Sequence, residues 1–156
     1  MSVVTWVRRK SRLATMINER GGVSIGAALK QAEANLAPMR DEGMAVINAR
    51  LKELTAIRSE DGPTDDRVER AYHASSAILD AASPFEIAHV SKAAHNLCEI
   101  ADNHQAGREF DWRVVDVHVG AMTLLMSLPT DATAARDQVL AGLYQVAEKK
   151  GVEHKA

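Results

Sequence analysis

Residues 83–105 read SPFEIAHVSKAAHNLCEIADNHQ, and this stretch decides the fold. Ser83 is placed to cap a helix, Pro84 suits a first helical position whose amide hydrogen would have no partner, and Glu86 completes a capping box. Behind that start Ile87, Val90, Ala94, Leu97, Cys98 and Ala101 recur in steps that put them on one side of a helix. The pattern predicts a helix from about Pro84 to about Gln105, stopped at Gly107.

The same grammar extends in both directions. Downstream, Asp111 is the expected cap of a fourth helix, with Phe110 placed to pack on Val115 as a hydrophobic staple, and the helix runs to about Leu128 before Pro129. A fifth starts near Thr130-Asp131 and presents Ala135, Val139, Leu140, Leu143, Tyr144 and Ala147; Lys149 and Lys150 suit its carboxyl end and Gly151 stops it. Upstream, Asp61-Gly62-Pro63 is a turn, after which Thr64 or Asp65 caps a second helix carrying Val68, Ala71, Tyr72, Ser75, Ile78, Leu79 and Ala82. Before the turn, Ser24 is an expected cap. Leu29, Ala32, Leu36, Met39, Gly43, Val46, Ile47, Leu51, Leu54 and Ile57 then form one amphipathic frame that carries on across Pro38, predicting a kinked helix or two nearly collinear ones. Short connections favour antiparallel neighbours. The expectation is an all-α, antiparallel bundle of four to five helices over residues 23–150, with a basic, partly extended arm at 1–22 and a flexible tail at 151–156.

Composition agrees with that class. A chain of 156 residues suits one domain, and 26 alanines with 4% aromatics favour helices packed closely through small side chains. A net charge of −2 argues against nucleic acid as a partner. The single Cys98 excludes an internal disulfide and a cysteine zinc site. Glu86-Ile87-Ala88-His89 supplies one Glu-x-x-His spacing where a di-iron bundle needs two, so no metal is expected. Phosphate-cradling and nucleophile-elbow motifs are missing, so the chain reads as neither an enzyme nor a cofactor binder. Asp116 and His118 interrupt the apolar run from Val114 to Leu128, so no membrane insertion is expected; with no apolar segment behind the amino-terminal basic cluster, the expected location is the cytoplasm.

The low net charge conceals an asymmetry. Residues 1–20 hold five basic side chains and one acidic, whereas residues 21–156 hold fourteen basic and twenty acidic. Arg8, Arg9, Lys10 and Arg12 therefore form a candidate docking arm for an acidic partner or for the acidic body of a second copy, a homodimer; the alternative is a solvated segment.

Among the six histidines, His73, His104 and His154 read as solvated, and His89 and His118 as half-buried residues satisfied by neighbours. His95 differs, because the helical period puts it with Lys92, Glu99 and Asp102 on a polar stripe facing away from Ala94, Leu97 and Ala101. A water-facing imidazole beside a cation is what a phosphoryl acceptor requires. Ala94-His95-Asn96-Leu97 is similar to the start of the histidine-phosphotransfer motif, usually His-x-x-Lys-Gly, although Cys98 and Glu99 stand where Lys and Gly belong. That likeness implies His95 as phosphoacceptor with Lys92 assisting.

A broader resemblance covers more of the chain. Val7-Arg8-Arg9-Lys10-Ser11-Arg12-Leu13-Ala14-Thr15-Met16-Ile17, Gly21-Gly22, Leu97-Cys98-Glu99-Ile100-Ala101-Asp102, and Trp112 to Leu125 together resemble the small alphaproteobacterial proteins encoded among chemotaxis genes and called CheE. The resemblance implies a cytoplasmic protein of chemotaxis or two-component signalling whose partner is a response regulator or chemotaxis component, and it brings no catalytic residues.

Overall fold

The structure is a computed structural model that describes residues 22–85, 87–129 and 131–150. Five α-helices follow one another: α1 Ile25–Ile57, α2 Thr64–Ala82, α3 Ala88–Asp102, α4 Arg113–Ser127 and α5 Thr133–Glu148, with a 3-10 turn at Ser83–Phe85 between α2 and α3. The chain is an all-α helical bundle, as the periodicity predicts. None of the described helices is long and apolar enough to cross a membrane. The chain divides into two compact units, Met1–Ala37 and Pro38–Ala156. The division falls at the proline inside α1, the one position of that helix with no amide hydrogen to donate.

In the first unit Ser24 caps α1 as expected, its Oγ accepting the Ala27 amide at 3.2 Å. Residues 22–37 are exposed throughout. That corrects the sequence reading for Leu29 and Leu36, which belong to the amphipathic frame without being buried.

In the second unit α3 is the centre, with α2, α4 and α5 all packed on it. Val90, Ala93, Ala94 and Leu97 of α3 are fully buried, and Ile47, Leu51 and Leu54 of α1, Ala71, Ala74 and Ile78 of α2, Met122 and Leu125 of α4, and Leu140 and Leu143 of α5 join them in one core. Alanines on α2 and α3 let the two backbones approach, which explains the alanine-rich, aromatic-poor composition. Asp65 at the start of α2 meets His104 and Gly107 beyond the end of α3, so these two helices run antiparallel. Lys150 beyond α5 meets Asp111 before α4 in the same way.

Several starts and stripes differ from the sequence reading. Ser83 does not open α3; it closes α2, its hydroxyl and its amide both donating to Leu79 O. Phe85 then lies against Gly43 of α1, where a Cβ would fall on the ring, and α3 begins only at Ala88. Seating the phenyl ring on a glycine outweighs an early helix start. Glu86, the other half of the expected capping box, is outside the described residues. Neither Thr64 nor Asp65 caps α2, because Asp65 is drawn across to Gly107 and His104. Asp111 does act at the start of α4, accepting the Arg113 amide at 3.2 Å. Met39 is exposed, Val46 and Tyr72 are part-exposed, and on α5 Ala135 is exposed while Arg136 is buried.

Two arginines explain how helix ends are satisfied. Arg136, the fourth residue of α5, donates from Nη2 to Leu128 O at 2.6 Å and from Nε to Pro129 O at 3.1 Å, covering carbonyls where α4 stops. Arg67, the fourth residue of α2, does the same for α1 through Ile57 O and Arg58 O and lies 4.3 Å over the Trp112 ring. Deep in the core His118 of α4 is fully buried. Its Nδ1 donates to Val114 O at 2.8 Å, and its Nε2 lies 2.7 Å from Asn96 Oδ1 of α3. Burial pushes the imidazole below its ordinary value, toward the neutral form.

Replacing Arg136 by Met leaves carbonyls without donors and should lower stability by about 1–3 kcal/mol in urea unfolding. For His118 the unfolded chain takes up a proton below pH 6.5 that the folded chain resists. Stability is therefore full above pH 6.5 and declines as pH falls toward the depressed folded value. Asp65 and Asp111, also depressed, add a second decline below their ordinary 3.8. Urea midpoints measured against pH should show both phases, and His118→Gln should remove the first.

Candidate functional site

The outward face of α3 is the site the sequence singles out. Ala93, Ala94, Asn96 and Leu97 turn inward, and the 3.6-residue period then leaves Lys92, His95 and Asp102 exposed and Glu99 half-buried. His95 thus stands in water on a helix held by three neighbours, with Lys92 one turn before it. The structure brings this predicted pair onto one face. Such an imidazole can meet a group presented by another protein, and Lys92 supplies positive charge beside it. Glu99, one turn on, supplies negative charge where the phosphotransfer motif has a glycine.

The neighbouring thiol is unsuited to chemistry. Burial first, and then the carboxylates of Asp80, Glu99 and Asp102, push the Cys98 thiol up to about 11, so it stays protonated at neutral pH. Three other histidines are engaged by carboxylates. His73 lies 3.7 Å from Glu69 on the surface, and His89 meets Asp137 of α5 at 3.0 Å. His104 is not the solvated residue its polar sequence context suggests: its side chain is 9% exposed, 3.1 Å from Asp65 and edge-on to Phe110.

Polar contacts gather where α2 and α4 start and α1, α3 and α5 end. Asp65 is held below the usual carboxylate range by the Gly107 amide first and by His104 second. Gly107 can aim that amide at both Asp65 oxygens because its φ is +78°, a conformation that favours glycine. Asp111 is held down by Arg113 and then Lys150, and Arg58 of the α1 end pairs with Asp116 of α4. A cleft of about 360 Å³ opens at this end, lined by Val68, Tyr72 and Ala101 together with Asp65, Glu69 and Asp102.

Arg8, Arg9, Lys10 and Arg12, His154 and the tail lie outside the described residues. Among the described residues no group of three or more His, Cys, Asp or Glu side chains is arranged to hold a metal ion. Sequence reasoning missed the roles of Arg67 and Arg136. The available signal was an arginine four residues into a helix that follows a tight turn. No protein-family model, no curated protein and no solved structure matches this chain.

Cys98 in the native protein should react with a neutral thiol reagent at pH 7.5 far more slowly than it does in urea, where burial and the carboxylate neighbours are lost. Equal rates in the two conditions would contradict the packing described for α3.

Proposed function

We propose that the protein is a non-enzymatic, cytoplasmic accessory of bacterial chemotaxis or two-component signalling that acts by binding a protein partner, a response regulator or chemotaxis component. The observation that carries the reading is the separation of roles on α3: its inner face is wholly committed to the core, while Lys92, His95 and Asp102 stand exposed on a rigid outer face. The basic cluster Arg8, Arg9, Lys10 and Arg12, set against an otherwise acidic chain, adds electrostatic attraction for an acidic partner surface. The resemblance to the CheE proteins supports the signalling context.

A second reading is favoured by the exposure of His95 beside Lys92. In it a ring nitrogen of His95 attacks the phosphorus of a receiver's aspartyl phosphate. A P–N bond forms as the acyl P–O bond breaks, and the receiver carboxylate leaves. Lys92 offsets the charge on the transferring group.

Calorimetric titration of the chain with receiver domains at low salt tests the lead. Binding should weaken when Arg8, Arg9, Lys10 and Arg12 are all changed to Gln, and the difference should shrink as salt rises. Absence of binding to any receiver or chemotaxis protein would reject the proposal. Incubation with a phosphorylated receiver separates the two readings: label that appears on the wild type and is lost in His95→Gln establishes transfer, and no label leaves binding alone.

A further inference from the structure

The described residues of the first unit carry an apolar seam with no described cover. Ile25, Leu29, Ala32 and Leu36 follow at steps of four, three and four, the spacing of a coiled-coil seam. All four are exposed, Ile25 and Leu29 at 81% and 59%. Leucine and isoleucine left in water along one helix side mark a surface for another helix. The flanks of the seam differ. Lys30 and Glu33 lie on one side, while the other side holds Ala28 and Asn35 and no charge.

These features identify the partner helix. In a two-fold antiparallel pairing centred between Lys30 and Gln31, Ile25 lies opposite Leu36 of a second copy and Leu29 opposite Ala32. The one small residue then always faces a large one, and no layer is hollow. The same pairing sets Lys30 of each copy beside Glu33 of the other, twice over. A parallel pairing would stack Ala32 on Ala32 and face the charged flank with Ala28 and Asn35, leaving both charges unpaired. The seam is therefore complementary to itself in one orientation, the property of a contact between two copies related by a two-fold axis.

We infer that residues 25–36 of α1 form an antiparallel contact with the same residues of a second copy of this chain. The contact uses no residue of α3, and it does not depend on the proposed function.

Sedimentation of the full chain over a range of concentrations tests the contact. The wild type should pass from monomer to dimer. Leu29→Glu should stay monomeric with an unchanged circular dichroism spectrum, since Leu29 is exposed within its own chain. Lys30→Glu should dissociate at higher concentration than Lys30→Glu combined with Glu33→Lys, which restores the cross-pairs. Orientation is read in a Cys98→Ser background. A disulfide-linked dimer should form when Ile25→Cys and Leu36→Cys chains are mixed, and not from Leu36→Cys chains alone. A wild type monomeric at every concentration, a Leu29→Glu dimer, or self-linked Leu36→Cys chains would each overturn the inference. A monomer that still binds its receiver would overturn this contact and leave the proposed function standing.

Discussion

The buried hydrogen-bonded pair of Asn96 and His118 is the constraint around which the second unit is built. α3 is enclosed by α2, α4 and α5, so any polar group it turns inward must be satisfied by a neighbouring helix or remain costly. Asn96 finds its partner in His118, which is in turn anchored to its own helix through Val114 O. An apolar stripe tolerates sliding by a turn. A buried amide and imidazole 2.7 Å apart do not, and they hold the register of α4 on α3. Leu97, Met122 and Leu125 then pack as a consequence.

Around that pair, the remaining backbone and charge demands are met at helix ends. Arg67 and Arg136 reach back from the first turns of α2 and α5 to carbonyls at the ends of the preceding helices. Asp65 and Asp111 collect donors at the starts of α2 and α4. Structural polar chemistry is concentrated in the core pair and at the helix ends, whereas the outer face of α3 contributes little to the fold. That division leaves His95 and Lys92 available for a partner without loss of stability.

The sequence was most legible where local periodicity and burial coincide. The inward stripe of α3, Ser24 as a cap, and His95 on an exposed polar face all follow from spacing alone. Reading failed where a local preference met a distant competitor. Ser83 has the chemistry of a helix start, yet Phe85 packs on Gly43, some forty residues earlier, and Ser83 closes α2 instead. Asp65 is a good cap by type, yet His104 and Gly107 claim it. Leu29 and Leu36 keep the period of a buried face, but periodicity cannot say whether another surface is there to cover it.

By itself the sequence determined the helical class, the approximate places of the five helices, the division between a basic start and an acidic remainder, and which side of α3 faces water. These follow from residue spacing, caps and side-chain charge, all of which act within a few turns of chain. Only the tertiary structure decided that Arg67 and Arg136 cap other helices, that His104 is nearly enclosed, and that His118 pairs with Asn96. Each of those depends on groups from different helices brought together by packing, where the cost of an unsatisfied buried donor or acceptor outweighs local preference.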